Sequence, residues 1–88
     1  MQERIYQIKN SLGLHARPAA LFVQITSKFQ SSIRVSKNDH EVDGKSIMGL
    51  LTLAAEQGSS IKIKADGSDE NEVLDKINEI VENKFNEE

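Results

Sequence analysis

The residues best suited to chemistry are His15 and Arg17, in the run Leu12-Gly13-Leu14-His15-Ala16-Arg17-Pro18-Ala19-Ala20. Pro18 lacks an amide hydrogen and has a fixed φ, which suits the first turn of a helix, where that hydrogen would have no partner. Ala19 to Lys28 contains neither Gly nor Pro, so a helix is expected from Ala16 to about Phe29. His15 then stands beside unpaired N–H groups at the positive end of a helix dipole, a setting that binds anions. Arg17 adds a forked guanidinium matched to phosphate oxygens. Neutral imidazole is a good nucleophile near neutral pH, so the pair could accept a phosphoryl group. The helix end would stabilise the product by about 0.3–1 kcal/mol, and one charged hydrogen bond from Arg17 by roughly 1.5–3 kcal/mol. Such modest stabilisation suits a group that is passed on. No neighbouring residues resemble a hydrolytic base or a metal cage. The competing reading is two ordinary polar residues at a helix start.

A second stretch, Lys45-Ser46-Ile47-Met48-Gly49, places a serine at a helix start. Its simplest role is as an N-cap contributing about 0.5–2 kcal/mol. A phosphate there would add about −1.5 to −2 charges where the dipole tolerates them, so the fold would survive while the surface changed.

Taken together, Gly13-Leu14-His15-Ala16-Arg17-Pro18-Ala19-Ala20 and Lys45-Ser46-Ile47-Met48-Gly49 resemble the active-site and regulatory-serine motifs of the HPr family. These are the histidine-containing phosphocarriers of the sugar phosphotransferase system, here of the low-GC Gram-positive type. The resemblance runs from Glu3 to Phe85. It implies that His15 accepts phosphate, through Nδ1, from enzyme I and donates it to enzyme IIA proteins, the phosphate originating in phosphoenolpyruvate. It implies that Arg17 stabilises the phosphate and that HPr kinase/phosphorylase modifies Ser46, creating a ligand for the catabolite control protein. It also implies an apolar docking patch of Ala16, Ala20, Ile47, Met48 and Leu51. Such a protein is a carrier acted on by others, not an enzyme, and needs no metal or cofactor.

Composition sets outer limits. The chain has 88 residues, enough for one small domain, expected over 1–88. Its net charge of −3, from 14 acidic and 11 basic residues, argues against a nucleic-acid surface. No apolar run approaches the roughly 18 residues of a membrane span, so no membrane insertion is expected. The absence of cysteine fits a reducing compartment, and the start Met1-Gln2-Glu3-Arg4 lacks signal-peptide features. The expected location is cytoplasmic.

The elements that must position these residues follow from periodicity. Alternation predicts strands over Glu3–Lys9, Ser31–Lys37, His40–Asp43 and Ser60–Ala65. Tyr6, Ile8, Ile33, Val35, Val42, Ile61, Ile63 and Ala65 should face inward, and Ile5 outward. Asn38-Asp39 should form a hairpin turn. Helices are predicted over Ala16–Phe29 and Ile47–Glu56, the second closed by Gly58. A third should open with Asp69 and Glu72 as a capping box and carry Val73, Leu74, Ile77, Ile80, Val81 and Phe85; Asn86-Glu87-Glu88 should fray. His40 reads as a solvated strand-end residue.

The order is βαββαβα, an α+β chain. One-sided alternation means that a single sheet face is covered, with all three helices on it. The right-handed crossover rule makes the first two strands parallel in sense, with room for the fourth between them. The expectation is an open-faced two-layer sandwich, an antiparallel sheet of order 1-4-2-3. The resemblance implies this order, which the pattern alone does not separate from a ferredoxin-like one. Two other readings compete: a regulatory relative acting only through Ser46, disfavoured because His15 is present, and a small-molecule-binding module, which leaves the His15–Arg17 pairing unexplained.

Overall fold

The computed structural model describes residues 1–87. Four strands, β1 (Gln2–Gln7), β2 (Ser32–Lys37), β3 (His40–Asp43) and β4 (Ser60–Asp66), form one sheet of order β1-β4-β2-β3. Every neighbouring pair is antiparallel, with Tyr6 opposite Ile61, Val35 opposite Ile63 and Val35 opposite Val42. The expected order and helix-covered face are thus both present. Because β1 and β2 each run antiparallel to β4, they are parallel to one another, as a right-handed crossover through a helix demands.

Helices α1 (Ala16–Thr26), α2 (Ile47–Thr52) and α3 (Glu70–Glu82) cover the apolar face. Phe22, Leu50, Val73, Leu74, Ile77 and Val81 meet Ile33, Val35, Ile61 and Ile63 in one buried core. Arg4 shares the covered face with Tyr6, and its guanidinium reaches Asp75 on α3 at 3.1 Å. Ile5 faces outward and is 68% exposed. No helix of the described residues is long and apolar enough to cross a membrane.

The element ends differ from expectation for identifiable reasons. α1 ends at Thr26, beyond which the amides change to shorter-range turn bonds, Lys28 to Ile25 and Phe29 to Thr26, while the Thr26 hydroxyl donates to the Gly44 carbonyl at 2.8 Å. α2 stops at Thr52, well short of Glu56. Ala54 adopts a left-handed φ of 51°, which turns the chain away, while its carbonyl accepts from Lys37 Nζ and that of Ala55 from the Leu14 amide. Helix propensity in Leu53-Ala54-Ala55-Glu56 is overridden by these tertiary bonds. Gly58, at φ 89°, therefore serves the turn into β4, donating to the Ile8 carbonyl, and not a helix cap.

Asp69 is the N-cap residue of α3 but makes no side-chain cap, so the expected capping box does not form. Its carboxylate instead accepts from the Ser31 hydroxyl and from the Gln30 and Ser31 amides (2.8 and 2.9 Å), while Glu70 accepts from the Gly67 amide. The Ser31 hydroxyl, followed by these amides, holds the Asp69 carboxyl below its ordinary range. A depressed carboxylate stabilises the fold above its unfolded-state value, about 3.9, and that contribution disappears as pH falls through the folded-state value. Asp69→Asn should therefore lower the thermal midpoint at neutral pH and shallow its decline below about pH 4. Parallel midpoint-versus-pH curves for the two proteins would refute the linkage.

Candidate functional site

His15 is the N-cap of α1, with extended backbone (φ −87°, ψ −167°). Its imidazole makes no capping bond, and the first turn holds no acidic residue. Among the described residues the Ala16 and Arg17 amides have no backbone acceptor, while Ala19 donates to the His15 carbonyl at 3.0 Å. The positive end of α1 is thus open for an anion. Pro18 sits at the third helical position, buried and without an amide to satisfy.

The loop that delivers His15 is held from several sides. Leu14, itself buried, donates to the Ala55 carbonyl at 2.8 Å, and Asn10 Nδ2 donates to the Gly13 carbonyl at 2.7 Å. Gly13 has φ 71°, and a Cβ there would strike the Ala55 carbonyl oxygen and stand 2.8 Å from Glu56 Cα. Only glycine meets both demands.

The chain after α3 does not fray as expected. Lys84, Phe85 and Asn86 form a left-handed turn with Phe85 buried, and it returns Glu87 to the histidine. Glu87 Oε2 and Oε1 lie 2.9 and 3.1 Å from His15 Nε2, and Oε1 also accepts from Asn10 Nδ2 at 2.9 Å. Desolvation pushes the Glu87 carboxyl up, but hydrogen bonds from His15 and Asn10, with the nearby charges of His15 and Arg17, bring it below the ordinary glutamate range. Glu88 lies outside the described residues.

Arg17 is exposed and enters no ion pair among the described residues. It borders a hollow with Ala20, Leu21, Gln24, Phe85 and Asn86. A separate shallow depression of about 300 Å³ brings His15 together with Leu12, Leu14, Leu51, Ala54, Ala55 and Glu56. Of the expected docking residues, Leu51 therefore lines the same depression as His15, and Ala20 the same hollow as Arg17. Ala16 is exposed at the helix start, and Ile47 and Met48 are exposed on α2, Met48 by 73%. Ser46 is the N-cap of α2, its hydroxyl accepting from the Gly49 amide at 3.0 Å. His40 is exposed, with Nε2 3.1 Å from the Thr52 hydroxyl.

Three neighbours of the site escaped the sequence reading. Leu12, 72% exposed beside His15, had a faint signal as an apolar residue in a polar loop. Asn10 and Glu87 had none, because 77 residues separate them and only the closed fold brings them together.

A family model described as the PTS HPr component phosphorylation site matches residues 2–83. The chain belongs to the HPr family. It is similar to the phosphocarrier protein HPr of Xylella fastidiosa strain Temecula1, at 47% identity over 99% of this chain and 98% of that protein. The HPr-like protein Crh of Halalkalibacterium halodurans is 43% identical over 93% of this chain and 98% of its own. The crystal structure of HPr-C-His from Thermoanaerobacter tengcongensis superposes with a TM-score of 0.96 at 50% identity, covering 100% and 99% of the two chains. This HPr-family chain is thus a phosphocarrier of the phosphotransferase system.

That geometry makes the loop glycine testable. Gly13→Ala meets both a left-handed φ and a backbone collision, whereas Gly58→Ala meets only the φ, with no atom within 4 Å of its Cβ. Left-handed alanine alone costs roughly 1–2 kcal/mol. Urea unfolding should show a larger loss for Gly13→Ala than for Gly58→Ala; equal midpoints would mean that the contact with Ala55 is slack.

Proposed function

We propose that this chain accepts a phosphoryl group on His15 from enzyme I and donates it to sugar-specific enzyme IIA components, working in the cytoplasm. The observation that carries this reading is the placement of His15. Its side chain, 35% exposed, stands at an uncapped helix start with no acid in the first turn. Arg17, two residues on, reaches solvent without an ion-pair partner among the described residues. Nucleophile, open amides and guanidinium are within one turn of each other, as positioning and charge balance in phosphoryl transfer require. Partners dock on the apolar ground around it, formed by Ala16, Ala20, Ile47, Met48 and Leu51, with Leu12 added. Met48 supplies the adaptable side chain typical of surfaces that meet several partners. The full 88 residues act as one HPr domain, a substrate of the other phosphotransferase proteins and not itself a catalyst.

Ser46 regulates this transfer. HPr kinase/phosphorylase would phosphorylate it, and the product would serve as a ligand for the catabolite control protein. Similarity to Bacillus subtilis Crh, whose solution structure is that of a "catabolite repression HPr" 40% identical over 91% of this chain, supports a regulatory side to the chain. The hydroxyl that would carry the phosphate now caps α2, and α2 also supplies Leu51 to the depression beside His15. New negative charge on this helix would repel an acidic partner and raise the desolvation cost of an apolar contact.

With phosphoenolpyruvate and enzyme I, the protein should gain acid-labile phosphate. His15→Ala should gain none while keeping its thermal midpoint, and Arg17→Glu should fold but label far more slowly. Label retained without His15 would transfer the role to another residue.

Ser46→Asp separates regulation from capping, because aspartate caps a helix about as well as serine. Its midpoint should stay near that of the parent while enzyme I-dependent labelling slows. Equal labelling rates at an equal midpoint would leave Ser46 as a cap alone.

A further inference from the structure

Glu87 lies beyond the 2–83 span matched by the family model, yet it makes the nearest polar contact to the histidine. We propose that Glu87 is a positioning residue for phosphoryl transfer: its carboxylate, steadied by Asn10, holds the Nε2–H of His15 and so presents Nδ1 as the nucleophile. The proposal rests on the phosphocarrier reading of His15 and deepens it.

The first argument is hydrogen-bond inventory. An ionised carboxylate can only accept, so its contacts of 2.9 and 3.1 Å with Nε2 require the proton on that nitrogen. In the neutral ring the lone pair then belongs to Nδ1, which makes no hydrogen bond among the described residues. A second hydrogen bond to the carboxylate comes from Asn10, which is fully buried. Its amide donates to Gly13 in the histidine loop and to Glu87, leaving its own Oδ1 buried without a partner. Flipping this amide would lose both donors, so its orientation is set by the two groups that frame His15.

The second argument is the backbone that brings Glu87 there. Lys84, Phe85 and Asn86 have φ of 55°, 54° and 62°, a run that L-residues avoid. Burial of Phe85 and the bonds from Asn86 to Asn83 and from Glu87 to Lys84 hold it. Disfavoured backbone of this kind persists only where surrounding structure imposes it, and here it ends on the reactive side chain.

The chemistry balances without moving a proton. The Nδ1 lone pair forms a bond to phosphorus as the bond from phosphorus to the donor's leaving group breaks, and that bond's electron pair departs with the leaving group. Nε2 keeps its hydrogen, and the ring, now cationic, faces the Glu87 carboxylate. In the onward step a nucleophile of the enzyme IIA acceptor bonds to phosphorus as the P–Nδ1 bond breaks, and the ring leaves as neutral imidazole with its hydrogen still on Nε2.

The test uses Glu87→Ala and Glu87→Gln in the full chain. Two readouts are taken: the imidazole tautomer from long-range proton–nitrogen spectra with the ring neutral, and the kcat and KM for labelling by enzyme I. The parent should show a single Nε2–H form. Glu87→Ala should show a mixture, with kcat lower by about tenfold, the loss of one charge-assisted hydrogen bond, and KM unchanged. Glu87→Gln, whose amide oxygen still accepts, should keep the tautomer and lose less. An unchanged tautomer in Glu87→Ala, or a changed tautomer with unchanged kcat, would overturn the proposal. Faster labelling would also overturn it, by making the carboxylate a brake. A parent that takes no label would instead defeat the phosphocarrier reading, and the transfer role of Glu87 with it.

Discussion

The backbone of Gly13 and Leu14 lies against Ala55, and the position of the histidine follows from that contact. Leu14 donates to the Ala55 carbonyl at 2.8 Å, and Gly13 comes too close to it to carry any side chain. To offer that carbonyl, the chain must leave α2 early, which it does through the left-handed Ala54. The same exit opens the depression between Leu12, His15 and Leu51. One close approach thus sets the length of α2, the point where α1 begins and the apolar ground beside the reactive ring. It joins the two helices whose starts hold His15 and Ser46.

Sheet topology supplies the other side of the site. With β4 inserted between β1 and β2, α3 packs over β1 and β4. Arg4–Asp75 and Lys9–Glu82, at 3.1 and 2.7 Å, align it with the first strand and the residues just after it. These ion pairs are exposed and worth little individually, so the buried stripe of Val73, Leu74, Ile77 and Val81 does most of the holding. The end of α3 consequently lies beside the loop that follows β1, and a single left-handed turn is enough to bring Glu87 to Asn10 and His15.

Local charge at the site departs from that of the whole. The chain is acidic, with a net charge of −3, but the first turn of α1 contains no carboxylate and Arg17 stands exposed there. The acid that does approach, Glu87, contacts Nε2 and leaves the helix amides alone. An anion arriving at those amides meets the helix dipole and a guanidinium.

Features that depend on near neighbours were legible along the chain. Alternation in Ile33-Val35 and Ile61-Ile63-Ala65 settled which sheet face is covered, and Gly13 through Pro18 marked a histidine at a helix start, because these patterns act over a few residues. The motif order carried the family as well, and with it the strand order that periodicity could not separate from a ferredoxin-like one. The places where local reading failed each answer to a distant partner. Asp69 looked like half of a capping box, yet its carboxylate found Ser31 and two amides across the fold. Leu53 to Glu56 looked helical, yet the Ala55 carbonyl was claimed by Leu14. Glu87 looked like a fraying end, yet packing of Phe85 and the bond to Asn10 fixed it against the histidine. Tertiary structure decided these cases because a hydrogen bond to a group 38 to 77 residues away leaves no period, propensity or spacing in the chain that makes it.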